Sequence, residues 1–452
     1  MSAQDPALER LPIPSPTPSP GVNSPNISAA TVEGSSQVAV DTQDPVRRTP
    51  PWEALRSRDF RLYWAGGFVS QMGSQMRVVA VGVQMWDLTH STTAVGLLGL
   101  FKLVPLLVLS IFGGVIADAL DRRRLLMVTQ TIMASSSVLL ALATQFGWIS
   151  PALVYGVSSL GAATLAFDNP ARSALIPNLV PRRHLPNALS LNIIVWQVAT
   201  IIGPVIGGVF LAMHAIGFAI IYWIDAVSFT AVLVALFFIR AKTQVAETRD
   251  VNMKAALDGL RFLRKAPIIM STMTLDFFAT FFGAASVLMP ALAEQVLHLD
   301  RSLWGLLYAA PAIGAVVAGV IMSWFGNVRR QGIIVLVSVA AYGLATVVFG
   351  FSTFFLVTLL ALAGTGAADT VSMVMRQTIR QLSTPDELRG RMTSVNMLFY
   401  MGGPQLGELE AGVAAAVIGI GPSIALGGLA VIVVSAVTGA LVPVLRHYDR
   451  GE

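Results

Sequence analysis

The sequence contains no cysteine among its 452 residues, which excludes a disulfide framework and thiolate-based metal or redox chemistry. It is also poor in charge, because Asp, Glu, Lys and Arg make up 12% of the chain, whereas soluble domains carry about 25%. The five histidines form no metal-ligand pair, and no Gly-x-x-x-x-Gly-Lys-Ser/Thr nucleotide loop occurs. We therefore expect no metal, no cofactor, no ATP-driven pump and no enzyme.

Apolar sequence dominates instead, at 54% of the residues and a mean hydropathy of +0.69. From Phe60 onward, apolar stretches recur that are long enough to cross ~30 Å of hydrocarbon. Each must be helical, because lipid offers no partner for free backbone groups. The predicted spans are 60–86, 94–117, 125–146, 151–171, 187–212, 216–240, 268–293, 303–325, 332–351, 354–376, 391–415 and 420–445. The predicted fold class is an all-α membrane protein with 12 transmembrane helices.

Positive charge is confined almost entirely to one side of these spans. The basic loop residues on that side include Arg122, Arg123, Arg124, Arg182, Arg183, Arg329, Arg330, Arg389 and Arg391. The positive-inside rule then places these loops and both chain ends in the cytoplasm. This arrangement accounts for the net charge of +5 without a nucleic-acid partner, and none is expected.

The chain divides into five segments by composition. They are a Pro/Ser/Thr-rich cytoplasmic tail at 1–50, a first six-helix bundle at 51–240, a cytoplasmic linker at 241–267, a second bundle at 268–446 and a tail at 447–452. The first tail is expected to be disordered, and it lacks the apolar region of a signal peptide. The linker has apolar and basic positions on opposite helical faces, which predicts an amphipathic helix on the membrane surface.

The two bundles resemble each other in sequence. The run Gly203-Pro-Val-Ile-Gly-Gly208 matches Gly403-Pro-Gln-Leu-Gly-Glu408 at an offset of 200 residues. Before them, Arg172, Pro181, Ser190 and Asn192 match Arg376, Pro385, Ser394 and Asn396 at an offset of 204. A shared order of matches indicates duplication into two parallel six-helix repeats, with a substrate site between them near the midplane.

The loop after the second span reads Gly114-Val-Ile-Ala-Asp118-Ala-Leu-Asp121-Arg122-Arg123-Arg124. It is similar to the loop signature of the major facilitator superfamily, in which Asp121 is usually glycine. Asp118 ends a helix, where the macrodipole disfavours an anion, so it needs a positive partner and can form a gate latch in one conformation. The alternative is a solvated loop that only obeys the positive-inside rule. The matching loop at 325–330 has lost the acid, which makes any latch asymmetric.

A second motif comprises Gly203, Pro204, Gly207 and Gly208 with the matching Gly403, Pro404 and Gly407. It resembles the span-five motif of proton-coupled drug exporters in the same superfamily. Proline kinks a helix and glycine permits close helix contact, so the motif predicts a hinge or a leak seal between the halves. Ordinary packing of small residues is the alternative.

Four runs carry a closer resemblance, namely Leu306–Gly314, Ala174–Val180, Gly259–Leu263 and Thr384–Arg391. They look like bacterial major facilitator proteins of the enterobactin-exporter type, and the similarity spans 52–445. The resemblance implies export of siderophores or drug-like amphiphiles across the bacterial cytoplasmic (inner) membrane. It transfers no substrate-defining motif.

Charged residues inside spans are expensive and are therefore candidates for function. Arg77 lies mid-span with Gln71, Gln75 and Gln84 nearby, which predicts a polar stripe that faces the cavity and holds an anionic group. A structural ion pair between helices is the alternative for Arg77. Lys102 lies either in the cavity or with its amine reaching outward.

Acids in spans can carry protons, because a low-dielectric cavity favours the neutral carboxyl group. The candidates are Asp168, Asp225, Asp276, Asp369, Glu408 and Glu410. Asp276 is the deepest acid of span seven, and Glu408 replaces the second motif glycine. Asp168 and Asp369, with Arg376, are expected near cytoplasmic helix ends as gate or loop pairs, and Asp225 is expected at the periphery. For each acid, a structural ion pair is the alternative.

These patterns together predict a secondary exporter of an amphipathic small molecule. The expected partners are that substrate, a proton or sodium ion for coupling, and the lipid bilayer, and the chain is expected to be a monomer. An uptake symporter on the same fold is one alternative, against which the Gly-Pro-x-x-Gly-Gly motif argues. A non-transporting membrane receptor is another, against which the intramembrane charges argue.

Overall fold

The computed structural model describes residues 50, 52–213, 215–240, 266–324, 329–385 and 388–449. Within these ranges the side chains of 111–119, 215, 389–391, 394 and 398 are also not described. The predicted disordered tail, the predicted linker helix and most of the second-half loop at 325–330 therefore lie outside the described residues.

The described residues form helices joined by short turns, and no strand occurs among them, so the all-α prediction is confirmed. The first half contains α1 Arg58–Thr89, α2 Thr92–Ala119, α3 Arg122–Gln145, α4 Pro151–Leu179, α5 Leu185–Leu211 and α6 Ala215–Phe238. The second half contains α7a Pro267–Phe282, α7b Met289–Gln295, α8 Trp304–Trp324, α9 Gln331–Phe351, α10 Phe355–Leu382, α11 Arg389–Ile418, α12 Ile420–Leu441 and α13 Pro443–Arg446.

Nine segments of the described chain are long and apolar enough to cross a membrane. The helices α1, α4 and α11 are longer than any span needs, at 32, 29 and 30 residues, but lie outside that set. All three carry ionisable side chains in their interiors, among them Arg77, Asp168 and Glu408. The chain is thus a multi-pass membrane protein, while the count of twelve spans stays a prediction.

The predicted seventh span at 268–293 is confirmed as an apolar segment at Pro267–Gln295, but its helix is interrupted. Helix α7a ends at Phe282, a 3-10 turn follows at Ala285–Leu288, and α7b begins at Met289. The Gly283 carbonyl at the break accepts hydrogen bonds from the Tyr342 hydroxyl at 2.9 Å and from the Ala285 backbone N–H at 2.7 Å. Such irregular backbone is tolerated at membrane depth where protein surrounds it or where it lines a cavity.

Helix packing follows the same order in both halves. In the first half α1 packs against α5 and α6, α3 against α4 and α6, and α2 against α4. In the second half α7a packs against α11 and α12, α9 against α10 and α12, and α8 against α10. This repetition confirms the two parallel repeats that the sequence predicts.

The apolar core shows where the halves meet. One large cluster contains residues of both halves, including Val83, Leu98, Leu292 and Leu307, and lies at the end of the bundle where α1 ends and α2 begins. Toward the other end, where α1 begins, three clusters belong to the first half or the second half alone, while a small cluster of Leu106, Ala162 and Ala166 still packs against Met401 of the second half. We call the end with the large shared cluster, where α1 ends, the closed end, and the end where α1 begins the open end.

Candidate functional site

Helices α2 and α11 form the first seam between the halves. A methyl group placed on Gly96 would lie 2.6 Å from the Glu408 carbonyl and 3.0 Å from the Gly412 Cα, so the two backbones are nearly in contact. The Thr92 hydroxyl donates to the Gly412 carbonyl at 2.9 Å across the same seam. Small residues permit this approach, as is usual for tightly packed membrane helices.

Helices α5 and α8 form the second seam, and the first copy of the Gly-Pro motif lies on it. A methyl group on Gly305 would lie 2.0 Å from the Pro204 carbonyl, and one on Gly208 would lie 2.7 Å from the Gly305 nitrogen. The other two motif glycines face α1 within the same half, because methyl groups on Gly203 and Gly207 would meet Gln75 and Met76. One motif therefore packs two helices against α5 at once.

The second copy of the motif is used differently. Gly403 and Gly407 face α7a, where methyl groups would lie 2.9 Å from the Phe277 carbonyl and 2.2 Å from the Phe281 carbonyl. The position matching Gly208 is Glu408, and its side chain reaches across the α2–α11 seam. The hinge role predicted for these glycines stays a prediction, while their positions agree with a seal.

The side chains of Lys102 and Glu408 form an ion pair between the halves, with Nζ 3.0 Å from Oε2. Lys102 therefore turns toward the other half rather than outward, which answers the alternative that the sequence left open. The side chains of Lys102 and Glu408 are 32% and 18% exposed, so the ion pair is only partly buried. Glu410, two residues further along α11, makes no ion pair with any residue that the structure describes.

Two polar contacts clamp the closed end. Arg301 donates two hydrogen bonds to the Asp87 carboxylate, at 2.7 and 2.9 Å, in the bidentate geometry that makes such pairs strong. The Trp86 indole N–H donates to the Glu294 carboxylate beside it. Sequence reasoning missed these residues, although Arg301 stands out as the basic residue in a loop on the side that otherwise lacks Lys and Arg.

An ion-pair cluster stabilises the second half internally. Arg376 Nη2 lies 3.0 Å from Asp276 Oδ1 and 3.3 Å from Asp369 Oδ1, which joins α7a to α10. Arg380 Nη1 lies 3.7 Å from the other Asp276 oxygen and also donates to the Asn396 side chain. Asp369 and Arg376 do pair with each other, but they lie within α10 and not near a helix end as the sequence predicted, and their role in a gate stays a prediction.

The first half holds a comparable buried pair. Arg77 Nε lies 3.1 Å from Asp225 Oδ2, and the carboxylate also accepts hydrogen bonds from Ser137 at 2.5 Å and Ser74 at 3.4 Å. The expectation that Asp225 packs peripherally is wrong, since its side chain is 0% exposed where α1, α3 and α6 meet. The Arg77 guanidinium also lies over the Phe229 ring, 5.9 Å from its centroid, which favours the structural alternative for Arg77.

The polar stripe predicted on α1 does not face one cavity. Gln75 donates to Thr200 on α5 at 2.7 Å, whereas Gln84 contacts Thr144 at 3.0 Å and Tyr222 at 2.8 Å on α3 and α6. Nine positions separate the two glutamines, and at about 100° per residue they point to opposite faces of the helix.

Asp168 also lies inside a bundle rather than at a helix end. It pairs with Arg172 one turn later on α4, and it accepts hydrogen bonds from Thr129 at 2.7 Å and Gln130 at 2.8 Å on α3. Its residue exposure of 3% identifies a structural link between α3 and α4.

The loop motif is resolved in part. Asp121 caps α3 by accepting a hydrogen bond from the Arg124 backbone N–H at 3.0 Å, which explains an acid where the resembling family has glycine. Arg122 and Arg123 donate to the Ala174 and Phe237 carbonyls at 3.1 and 2.7 Å. Gly114 and Asp118 lie among the residues whose side chains are not described, so the latch stays a prediction.

A cavity of about 260 Å³ opens beside the break in the seventh span. Its polar lining consists of Thr280, Ser286, Tyr342, Thr346, Thr365, Asp369 and Glu408. The lining thus brings together the inter-half ion pair, through Glu408, and the internal cluster of the second half, through Asp369.

The sequence matches the family model described as "Transmembrane secretion effector" over residues 49–450. The chain is 28% identical over 391 residues to the enterobactin exporter EntS of Citrobacter koseri and 26% identical over 391 residues to that of Escherichia coli K12. Each alignment covers 86% of this chain and 93% of the relative.

Solved structures share the fold. A bacterial homologue of the human lysosomal transporter Spinster, in an inward-facing and unoccupied conformation, superposes with a TM-score of 0.68 at 14% identity and covers 87% of this chain and 97% of its own. The nucleoside transporter NupG superposes with a TM-score of 0.66 at 12% identity, covering 86% and 99%. The family model and the relatives confirm the predicted superfamily and a transporter rather than an enzyme, and the solved structures confirm the fold. The chain belongs to the transmembrane secretion effector family of major facilitator transporters.

Proposed function

We propose that the chain is a secondary active exporter, driven by proton antiport, that moves an amphipathic small molecule such as a siderophore or drug out of the bacterial cytoplasm. Two relatives that align over 86% of the chain are named enterobactin exporters, which supports export and a siderophore-like substrate. The basic loops on the side of the chain ends support a cytoplasmic position for both ends.

One structural observation carries the proposal: the polar contacts that the structure describes between the halves lie at the closed end and along the two seams. Among the described residues, the hydrogen bonds and ion pairs between the halves involve Trp86, Asp87, Thr92, Thr93, Lys102, Glu294, Arg301, Glu408 and Gly412. All of them run along the two seams or the closed end. If the basic loops are cytoplasmic, the open end faces the cytoplasm, which is the state in which an exporter loads its substrate.

Alternating access requires the halves to move as units. The buried ion pairs Arg77–Asp225 and Arg376–Asp276 each join helices of one half, so they hold that half together during rocking. The pairs Lys102–Glu408 and Asp87–Arg301 cross between halves and must separate when the closed end opens. A substrate or proton shifts the equilibrium between the two conformations only if it binds one of them more tightly than the other. Because these crossing pairs form in one conformation and separate in the other, they are sites where substrate or proton binding can favour one conformation.

Reconstitution into proteoliposomes with an imposed pH gradient tests the proposal. The panel contains siderophores, macrolides and cationic dyes, with protein-free liposomes as the control. We expect gradient-dependent movement of at least one compound class, abolished by a protonophore. Movement of every compound at the same rate with and without the gradient would remove proton coupling, and movement of none would remove the exporter.

A further inference from the structure

The cavity beside the seventh-span break presents mainly hydrogen-bond acceptors from its side chains. Four of its five hydroxyl groups donate to backbone carbonyls within the protein. The donations run from Thr280 to Asp276 at 2.8 Å, Tyr342 to Gly283 at 2.9 Å, Thr346 to Tyr342 at 2.9 Å and Thr365 to Leu362 at 2.6 Å. A hydroxyl has one donor and two acceptor lone pairs, so each of these four has only lone pairs left for a ligand. Ser286, the fifth, is exposed and free to turn.

The two carboxylates of the cavity add negative charge to this lining. Asp369 has a side chain that is 47% exposed, whereas its partner Arg376 is 2% exposed, so the acid faces the cavity and the base lies behind it. Glu408 is 18% exposed and its Oε2 is held by Lys102 from the other half. No lysine or arginine is among the described lining residues.

The size of the cavity limits what enters it. A volume of about 260 Å³ is below the roughly 300–1,000 Å³ of pockets that enclose a drug-sized ligand. It therefore accommodates a charged group of a larger molecule, or a small ion, rather than a whole amphiphile.

We propose that this cavity is a cation site, which binds a protonated amine of the substrate or an inorganic coupling cation between Asp369 and Glu408, and that Lys102 competes with this cation for Glu408. Each carboxylate already has a base on one side, Arg376 at 3.3 Å from Asp369 and Lys102 at 3.0 Å from Glu408, so an incoming cation competes with these bases for the carboxylate oxygens. An ammonium group supplies donors without acceptors, which complements the lining. The inference rests on the proposed transport function and names the chemistry of its ligand.

Competition at Glu408 links the site to the seam. While Lys102 holds Glu408, the ion pair joins α2 to α11 across the halves. A cation that binds Glu408 in place of Lys102 breaks this ion pair, which weakens the α2–α11 seam. Because the two cations exclude each other at one carboxylate, removal of Lys102 must strengthen cation binding.

Fluorescence anisotropy with three matched probes tests the site on the purified full chain in lipid nanodiscs. Each probe is a dansyl fluorophore on the same alkyl tether, ending in an ammonium, an acetamide or a carboxylate. We expect the ammonium probe to bind about tenfold more tightly than the other two, in line with the strength of charged hydrogen bonds.

Four variants sharpen the test. Glu408→Gln and Asp369→Asn preserve side-chain shape and should each weaken ammonium binding about tenfold, with the acetamide probe unaffected. Lys102→Met should strengthen ammonium binding, an effect that a purely structural pair does not produce. Asp449→Asn removes a carboxylate that pairs with Arg329 within the second half, away from both seams, and should leave all three affinities unchanged. Equal affinity of the three probes, preference for the carboxylate probe, or weaker binding to the Lys102→Met variant would overturn the site.

Two further arms separate the sources of the cation. Displacement of the ammonium probe by sodium but not potassium chloride, at equal ionic strength, assigns the site to an inorganic coupling ion. Failure of both salts to displace it assigns the site to the amine of the substrate. Gradient-driven transport without any preference for the ammonium probe would overturn the cation site but support the exporter. Binding of the ammonium probe without gradient-driven transport would overturn the exporter but support the cation site.

Discussion

At the scale of single residues, the molecule separates charges that hold a half together from charges that join the halves. Asp168, Asp225, Asp276, Arg376 and Arg380 are each less than 9% exposed, and each is paired within its own half. Lys102 and Glu408 are more exposed and pair across the seam. Burial therefore distinguishes structural pairs from pairs that are able to exchange partners.

Arg77 provides a test of this distinction. Arg77→Ala leaves the Asp225 carboxylate buried without its partner, and breaking a buried pair in this way costs about 3–5 kcal/mol. We expect a marked loss of thermal stability in detergent, and an equal loss of transport for neutral and anionic compounds. Arg182→Ala, at an exposed arginine of the same half, is the control. A selective loss of anionic compounds with unchanged stability would instead assign Arg77 to the substrate, as its mid-span position first suggested.

At the scale of helices, the seams depend on glycine at positions where two backbones meet. The closest approach is Gly305 of α8 against the Pro204 carbonyl of α5, at 2.0 Å from an added methyl group. Because both partners are backbone atoms of long helices, neither can give way as a flexible side chain does. The second seam thus fixes how closely the halves approach at the closed end.

Gly305→Ala should therefore push the closed end apart. Spin labels at Phe146→Cys and Val417→Cys lie on opposite halves at this end, at residues that are 70% and 79% exposed, and the chain has no other cysteine to label. We expect the distance between the two spin labels, measured by double electron–electron resonance, to lengthen in the Gly305→Ala protein. Gly319→Ala on the same helix, where a methyl group meets nothing within 4 Å, is the matched control. Identical distance distributions for the two variants would show that the seam does not limit closure.

At the scale of the whole molecule, the two repeats share one packing order but differ in their polar contacts. The first-half motif ends in Gly208 and closes the α5–α8 seam by backbone contact, while the second-half motif ends in Glu408 and closes the α2–α11 seam with an ion pair. Both seams have close backbone contact at glycines, and the α2–α11 seam adds an ion pair that a competing charge can release.

The orientation of the whole bundle is open to direct labelling. Single cysteines at Trp52 and Phe146, which are 62% and 70% exposed, lie at the open and closed ends respectively. An impermeant maleimide applied to right-side-out vesicles should label Phe146→Cys and spare Trp52→Cys, because basic loops remain cytoplasmic. Inverted vesicles, in which the pattern should reverse, are the control. The opposite pattern would place the open end outside and argue for uptake.

Hydropathy, charge bias and repeated motifs were sufficient to predict the helical class, the positions of most spans, the duplication and the superfamily. They also marked Glu408, because it breaks the match with Gly208. These features are local along the chain, since span length and motif spacing depend on neighbouring residues alone.

Only the tertiary structure decided where the charged side chains point. It placed Asp225 at the centre of the first half instead of its periphery, turned Arg77 toward α3 and α6, and directed Lys102 to the other half. It also showed that the seventh span is interrupted, at a point where the Tyr342 hydroxyl of α9 donates to the Gly283 carbonyl. The physical reason is that a helix determines the angular spacing of its residues, whereas the helix met by each face depends on the packing of all the others.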